Sequence, residues 1–237
     1  MNIPDGRMVC PVCKERVLTR KGEQTMKART IREKEYTWEQ IEEILAAGKE
    51  RETFGEDGQI TVQEEGIGEA VLNILDYDKD KAANKDMHTM TLQFADLLFD
   101  EMPFNEGNCN KWEKSSIRSY MNSIAFKERF EEGFRRLLVP VLKENEDRKA
   151  TLDTFFLLSV EEMKDKEKKY QRFRSERDRV KVNPEQETEG HWTRSACRGN
   201  AYFTWNVYAS GNVNNGYTAV YSFRFAPACV IGAKAIK

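Results

Sequence analysis

Residues 195–223 read SACRGNAYFTWNVYASGNVNNGYTAVYSF, and this stretch limits the fold more than any other part of the chain. Gly199, Gly211 and Gly216 cut it into short segments. Within them Trp205 and Val207 share one strand face, Gly211 offers a turn, and Val213 resumes on the opposite strand. That pattern predicts β-hairpins. The composition is equally unusual. Charged residues make up 33% of the chain, yet this window carries only Arg198 and has no Lys, Asp, Glu, Gln or Met. It holds four of the eight Tyr and five Asn. Tyr supplies large amphipathic contact area at low entropic cost, and Ser, Gly and Asn supply adaptable hydrogen bonds, as in antibody contact surfaces. The window is therefore the expected working surface.

The rest of the chain supplies a scaffold. At 237 residues it can bury a substantial core. Residues 1–36 carry nine Lys/Arg against five Asp/Glu, so with a chain total of −2 the remainder stands at about −6. Nothing global points to nucleic acid or to membrane insertion. The start, MNIPDGRMVC, has no apolar signal-peptide core, so synthesis in the cytoplasm is expected. Five irregularly spaced Cys argue against a disulfide framework. Residues 1–35 read as a separate basic segment with a Cys10-Pro-Val-Cys13 knuckle. That is half of a zinc site, to be completed by Cys109 or by another chain, or else two thiols in a turn.

The first predicted helix begins at a Thr37–Gln40 capping box, lines one face with Trp38, Ile41, Ile44 and Leu45, and ends at Gly48. Gln59–Gln63 and Glu69–Tyr77 read as strands, the second apolar on both faces. A short helix is expected over Leu92–Glu101 with Thr91 as its cap. A long one is expected from an Asn110–Glu113 capping pair, with Trp112, Ile117, Tyr120, Met121 and Ile124 on its stripe. It would continue through Phe126–Leu142 with Phe130, Phe134, Leu137 and Leu138 until Pro140 interferes. Thr154–Val160 reads as a buried strand. The charged stretch Glu161–Glu189 reads as a solvated helix and loop, broken at Asn183-Pro184.

Catalytic patterns are sparse. No phosphate loop and no zinc-protease motif occurs. His191 has no nucleophile beside it in sequence. Glu64-Glu65 and Glu161-Glu162 read as solvated faces. Asp76, Asp78 and Asp80 have calcium-loop spacing without the Gly and closing Glu of an EF-hand. Cys197 and Cys229 are the local candidates for a thiol pair, although Cys229 also fits a small buried position.

A set of landmarks runs through residues 36–237. It comprises Thr37-Trp-Glu-Gln, Trp112-x-x-Ser115-Ser116-x-Arg118 with Asn122, Thr151-x-Asp153, Phe156-Leu-Leu-Ser159, Trp192-Thr-Arg-Ser195, Asn206-Val, Gly211-x-Val213 and Phe225-Ala-Pro-Ala228. The set resembles a phage and gut-bacterial family ending in W-x-R-S…P-A. Members with Asn-rich tails are similar to the variable proteins of diversity-generating retroelements. Here Phe225-Ala-Pro-Ala-Cys replaces the commoner Val-Arg-Pro-Ala-Phe ending.

The resemblance implies an α+β, C-type-lectin-like fold with two main helices on short antiparallel sheets and hairpins, and a variable region at about 192–224. It implies no catalysis and no cofactor; zinc at Cys10 and Cys13 is suggested by the CxxC residues alone, since residues 1–35 lie outside the resemblance. It implies display by a phage or prophage, on a tail, against a protein or glycan of a cell surface; self-association through the N-terminal segment is a separate expectation from residues 1–35. In such systems template adenines are mutated, and changes at the first two bases of AAC or AAT codons never give Lys, Gln, Glu, Met or Trp. The window obeys this everywhere but Trp205. The positions implied to vary are Cys197, Gly199, Asn200, Tyr202, Phe203, Thr204, Tyr208, Ala209, Ser210, Asn212, Asn214, Asn215, Gly216, Tyr217, Thr218, Val220, Tyr221, Ser222 and Phe223. Ala201, Trp205, Val207, Gly211, Val213 and Ala219 are the implied supports. Two alternatives stand beside this. One is an oxidase related to formylglycine-generating enzymes, using Cys197 and Cys229. The other is an invariant phage structural protein.

Overall fold

A computed structural model describes residues 27–29, 35–80, 82, 86–146 and 149–236. Cys10 and Cys13 lie outside the described residues. The described chain is a mixed α+β structure built of several antiparallel sheets. The largest has five strands in the order Gln59–Glu64, Gly68–Tyr77, Met87–Phe94, Ala228–Lys234 and Phe155–Phe156. The strand nearest the C-terminus thus lies inside the sheet, paired along its length with Met87–Phe94. Its Gly232 allows this approach, since a Cβ there would come within 2.9 Å of the His88 carbonyl oxygen. Leu72, Ile74 and Leu75 are all buried, which accounts for the apolar pattern on both faces of their strand.

The Trp38–Ala46 helix forms as the sequence predicts. Gln40 donates its backbone N–H to Thr37 Oγ1 (3.2 Å), and Thr37 donates its own to Gln40 Oε1 (2.9 Å). Trp38, Ile41 and Leu45 face the sheet, and Gly48 ends the helix at φ +65. Trp38 then joins an aromatic core. Phe94, Phe126, Phe130, Phe134 and Phe155 stand with neighbouring ring centroids 5.1–5.8 Å apart.

Four local expectations are corrected. Thr91 and Leu92 do not open a helix, because Met87–Phe94 pairs on both edges and buries everything from Thr89 to Phe94. Local propensity yields to ladder hydrogen bonds on two sides. The second main helix is instead a 3₁₀ turn and three short helices, Ser116–Met121, Ile124–Glu128 and Glu132–Leu137. Ser115 and Ser123 accept from Arg118 N and Phe126 N, so each starts a helix afresh. Asn122 bonds across to Thr154 N and Phe155 O at 2.8 Å, and Ile124 points outward, 74% exposed. Thr154–Val160 is buried for most of its length, but only Phe155–Phe156 is strand.

Nor is Glu161–Glu189 a solvated helix. Val160–Lys164 is its only α-helix, and Glu162 sits in a buried ionic cluster. Tyr170, Phe173, Arg179 and Lys181 are buried as well. The Asp76, Asp78 and Asp80 carboxylates go to different partners, namely Arg51, His88 and Lys143, so they do not form a calcium loop.

Candidate ligand-binding face

The tail forms a three-stranded antiparallel sheet from His191–Ala196, Phe203–Val207 and Val213–Thr218. Trp192, Val207, Val213 and Ala219 are all buried and anchor it, with Val207 paired to Val213 on one face and Trp192 paired to Asn206 on the other. Gly211 closes the turn at φ +85, and a Cβ there would fall 2.1 Å from the Glu176 carbonyl oxygen, so only glycine fits. Thr193 Oγ1 donates to the Trp205 carbonyl at 2.7 Å, and Trp205 is half-buried against the core.

The outer side carries the aromatics. Tyr202 and Tyr221 are 56% and 51% exposed. Tyr217 lies 4.9 Å from both Tyr221 and Phe223, and Tyr208 meets Tyr217 edge-on at 6.3 Å. Phe223 in turn stands edge-on against buried Trp192 at 4.9 Å. A continuous stack therefore runs from the core to exposed Tyr221, which holds the outer rings in fixed positions. Low side-chain freedom before binding lowers the entropy lost on binding.

Most of the implied variable positions are exposed or half-buried, among them Cys197, Asn200, Asn212, Asn214 and Asn215. Two positions differ from the expected division. Thr204 is fully buried and its hydroxyl lacks a partner. Ala201, expected as a support, is exposed. The Cys197–Arg198–Gly199–Asn200 loop is held from beneath by Asn110. Its Nδ2 donates to the carbonyls of Asn200 (2.7 Å), Phe203 (2.8 Å) and Cys197 (3.3 Å). Asn110 is therefore a clamp on this loop, not the start of a helix.

Beside the face lies a polar cavity of about 790 Å³, and Ser195 and Arg198 line it. Its floor is an ionic cluster. Lys143 Nζ donates to Asp80 Oδ1 (2.5 Å), Glu162 Oε1 (2.9 Å) and Tyr170 OH (2.8 Å). Arg194 grips both oxygens of Glu162, with Nη2 2.8 Å from Oε1 and Nη1 on Oε2. Burial alone would raise the Glu162 pKa, but Arg194 and Lys143 hold it well below the usual carboxylate range. Sequence reading missed this floor because Glu161-Glu162 looks like any charged pair. The one available signal was Arg194 within the W-x-R-S landmark.

The other landmarks are structural too. Buried Asp153 accepts from Trp112 Nε1 (2.8 Å), Thr151 Oγ1 (2.7 Å) and the half-buried Arg118 Nε (2.6 Å). Ser195 Oγ accepts from Val160 N at 3.0 Å.

Residues 89–233, more than half of the chain, match the family described as a domain of unknown function, DUF6273. The chain belongs to the DUF6273 family. The matched DUF6273 region contains every landmark from Trp112 to Phe225-Ala-Pro-Ala228, including the tail sheet and all of the cavity floor except Asp80. Two strands of the central sheet lie outside it: Gly68–Tyr77 pairs with Met87–Phe94, and Gln59–Glu64 pairs with Gly68–Tyr77. No curated protein and no solved structure matches the chain.

Cys109, Cys197 and Cys229 are free. Cys229 is fully buried in the central sheet, and burial pushes its thiol pKa up, which disfavours the reactive thiolate. Cys197 accepts a hydrogen bond from Asn215 Nδ2 at 3.2 Å. No helix among the described residues is long and apolar enough to cross a membrane.

Proposed function

We propose that this chain is a non-enzymatic binding protein on a C-type-lectin-like scaffold. Its outer tail face, diversified by adenine-directed mutagenesis, recognises a protein or glycan on a cell surface, as part of a phage or prophage. The observation that carries this reading is the separation of the tail into two interleaved sets. Buried Trp192, Val207, Gly211, Val213 and Ala219 support the sheet, while exposed or half-buried Tyr, Asn and Ser side chains project from it. Positions that bear no core packing can be replaced at little cost in stability. Aromatics seated on a rigid stack are the residue type that dominates binding energy.

The test is a triple variant, Tyr202→Ala, Tyr221→Ala and Asn212→Ala, compared with the unaltered chain on arrays of glycans and cell-surface proteins. Loss of the bound signal by tenfold or more is expected, with the thermal midpoint lowered by no more than about 4 °C. A variant that unfolds, or one that keeps full binding, would contradict the assignment of these side chains to the contact surface.

A further inference from the structure

Away from the tail, three ligating side chains converge from three elements. Glu50 opens the Glu50–Phe54 helix, Asp78 follows the Gly68–Tyr77 strand, and His88 stands in the Met87–Phe94 strand. One donor atom from each lies within 4.8 Å of the other two. His88 Nδ1 is 3.1 Å from Asp78 Oδ2, and Asp78 Oδ1 accepts from Thr89 N at 2.8 Å. Asp78 adopts φ +52, a conformation rare outside glycine, and this places its carboxylate beside the ring. The ring itself rests over Gly48, where a Cβ would approach Nε2 to 3.1 Å.

Glu50 is what distinguishes this group from an ordinary surface ion pair. It is only 3% exposed, and its Oε2 is buried without a hydrogen-bond partner. Burial raises its pKa, and the neighbouring Asp78 charge raises it further. Among the described residues no Lys or Arg forms an ion pair with this carboxylate. A buried charge without a partner is strongly destabilising. A second carboxylate and an imidazole already face the gap, and Asp78 and His88 are open enough to admit an ion.

We propose that Glu50, Asp78 and His88 bind a divalent first-row transition ion of the zinc class, which ties the Glu50–Phe54 helix to the ends of two inner strands of the central sheet. One imidazole nitrogen with two carboxylate oxygens suits such an ion better than calcium or magnesium, which take oxygen ligands. The ion offsets the unpaired charge of Glu50 and joins three segments that the backbone brings together separately. The site is distinct from the Cys10–Cys13 knuckle in both residues and donor chemistry.

The experiment uses the full chain, stripped with a chelator and titrated with zinc chloride by calorimetry, with thermal midpoints recorded before and after. A stoichiometric binding event and a rise in midpoint of several degrees are expected, both surviving Cys10→Ser with Cys13→Ser. Glu50→Gln and His88→Gln should each weaken zinc binding by tenfold or more. Glu50→Gln should leave the metal-free midpoint unchanged or higher, because it removes an unpaired buried charge. Zinc binding that persists in Glu50→Gln, that vanishes with the two cysteines, or that is absent from the unaltered chain would overturn the proposal.

Discussion

Arg194→Ala is expected to cost about 3–5 kcal/mol of folding stability, as measured by equilibrium denaturation in urea. The guanidinium is 5% exposed and makes two bonds to Glu162, with Nη1 also donating to the Leu157 carbonyl at 2.8 Å. Truncation leaves a buried Glu162 carboxylate with Lys143 as its remaining cation. The loss is a large share of the roughly 5–15 kcal/mol that stabilises an ordinary domain. Arg198→Ala supplies the contrast. Its side chain is 84% exposed and pairs with Glu146 at 3.0 Å, so its removal should cost less than about 1 kcal/mol. Equal costs for the two variants would mean that the cavity floor does not hold the tail sheet to the Val160–Lys164 helix.

Acid should loosen the same sheet through His191. This residue is 3% exposed, its Nδ1 has no hydrogen-bond partner, and it pairs with Val207 across the sheet. Burial, reinforced by the nearby Lys181 charge, pushes its pKa down to about 3 from an ordinary 6.5. Between those values the unfolded chain holds a proton that the folded chain lacks, so stability falls as pH falls. At 1.36 kcal/mol per unit, about 2 kcal/mol should be lost between about pH 6.5 and pH 4.5 on this account. Glu50 and Glu64 have raised pKa values and act in the opposite direction, so the quantity to measure is the difference between the unaltered chain and His191→Phe. Between pH 6.5 and pH 4.5 the unaltered chain should lose about 2 kcal/mol relative to His191→Phe. Parallel curves would mean that His191 is protonated in the folded state. Lys181, pushed down to about 7 by burial, extends the trend, with stability rising above neutrality.

What could be read from the sequence depended on the range of the interactions. The Thr37 capping box, the Gly48 terminator and the two-faced Gly68–Tyr77 strand are set by residues within a few positions, and they form as expected. The Met87–Phe94 strand could not be read locally, because its partner Ala228–Lys234 lies more than a hundred residues away. The helical stripe from Trp112 to Leu138 was real as a core, but Ser115 and Ser123 are also helix starters, and they broke it. The tail face was legible through composition, which records what its side chains need not do. The cavity floor was hidden, since Glu162, Lys143 and Tyr170 look solvated until the fold pairs them. The Glu50–Asp78–His88 group was equally hidden, because its members are 28 and 10 residues apart.

The DNA flanking the gene tests the proposed diversification most directly. A nearby copy of the 3′ coding region, beside a reverse-transcriptase frame, is the predicted finding. Its differences should fall only at adenines, in codons such as those for Tyr202, Tyr208, Asn212 and Tyr221. They should spare Trp205, Val207, Gly211 and Val213, which the packing described above holds in place. A flank without such a copy, or one whose differences run through the support codons, would contradict the account.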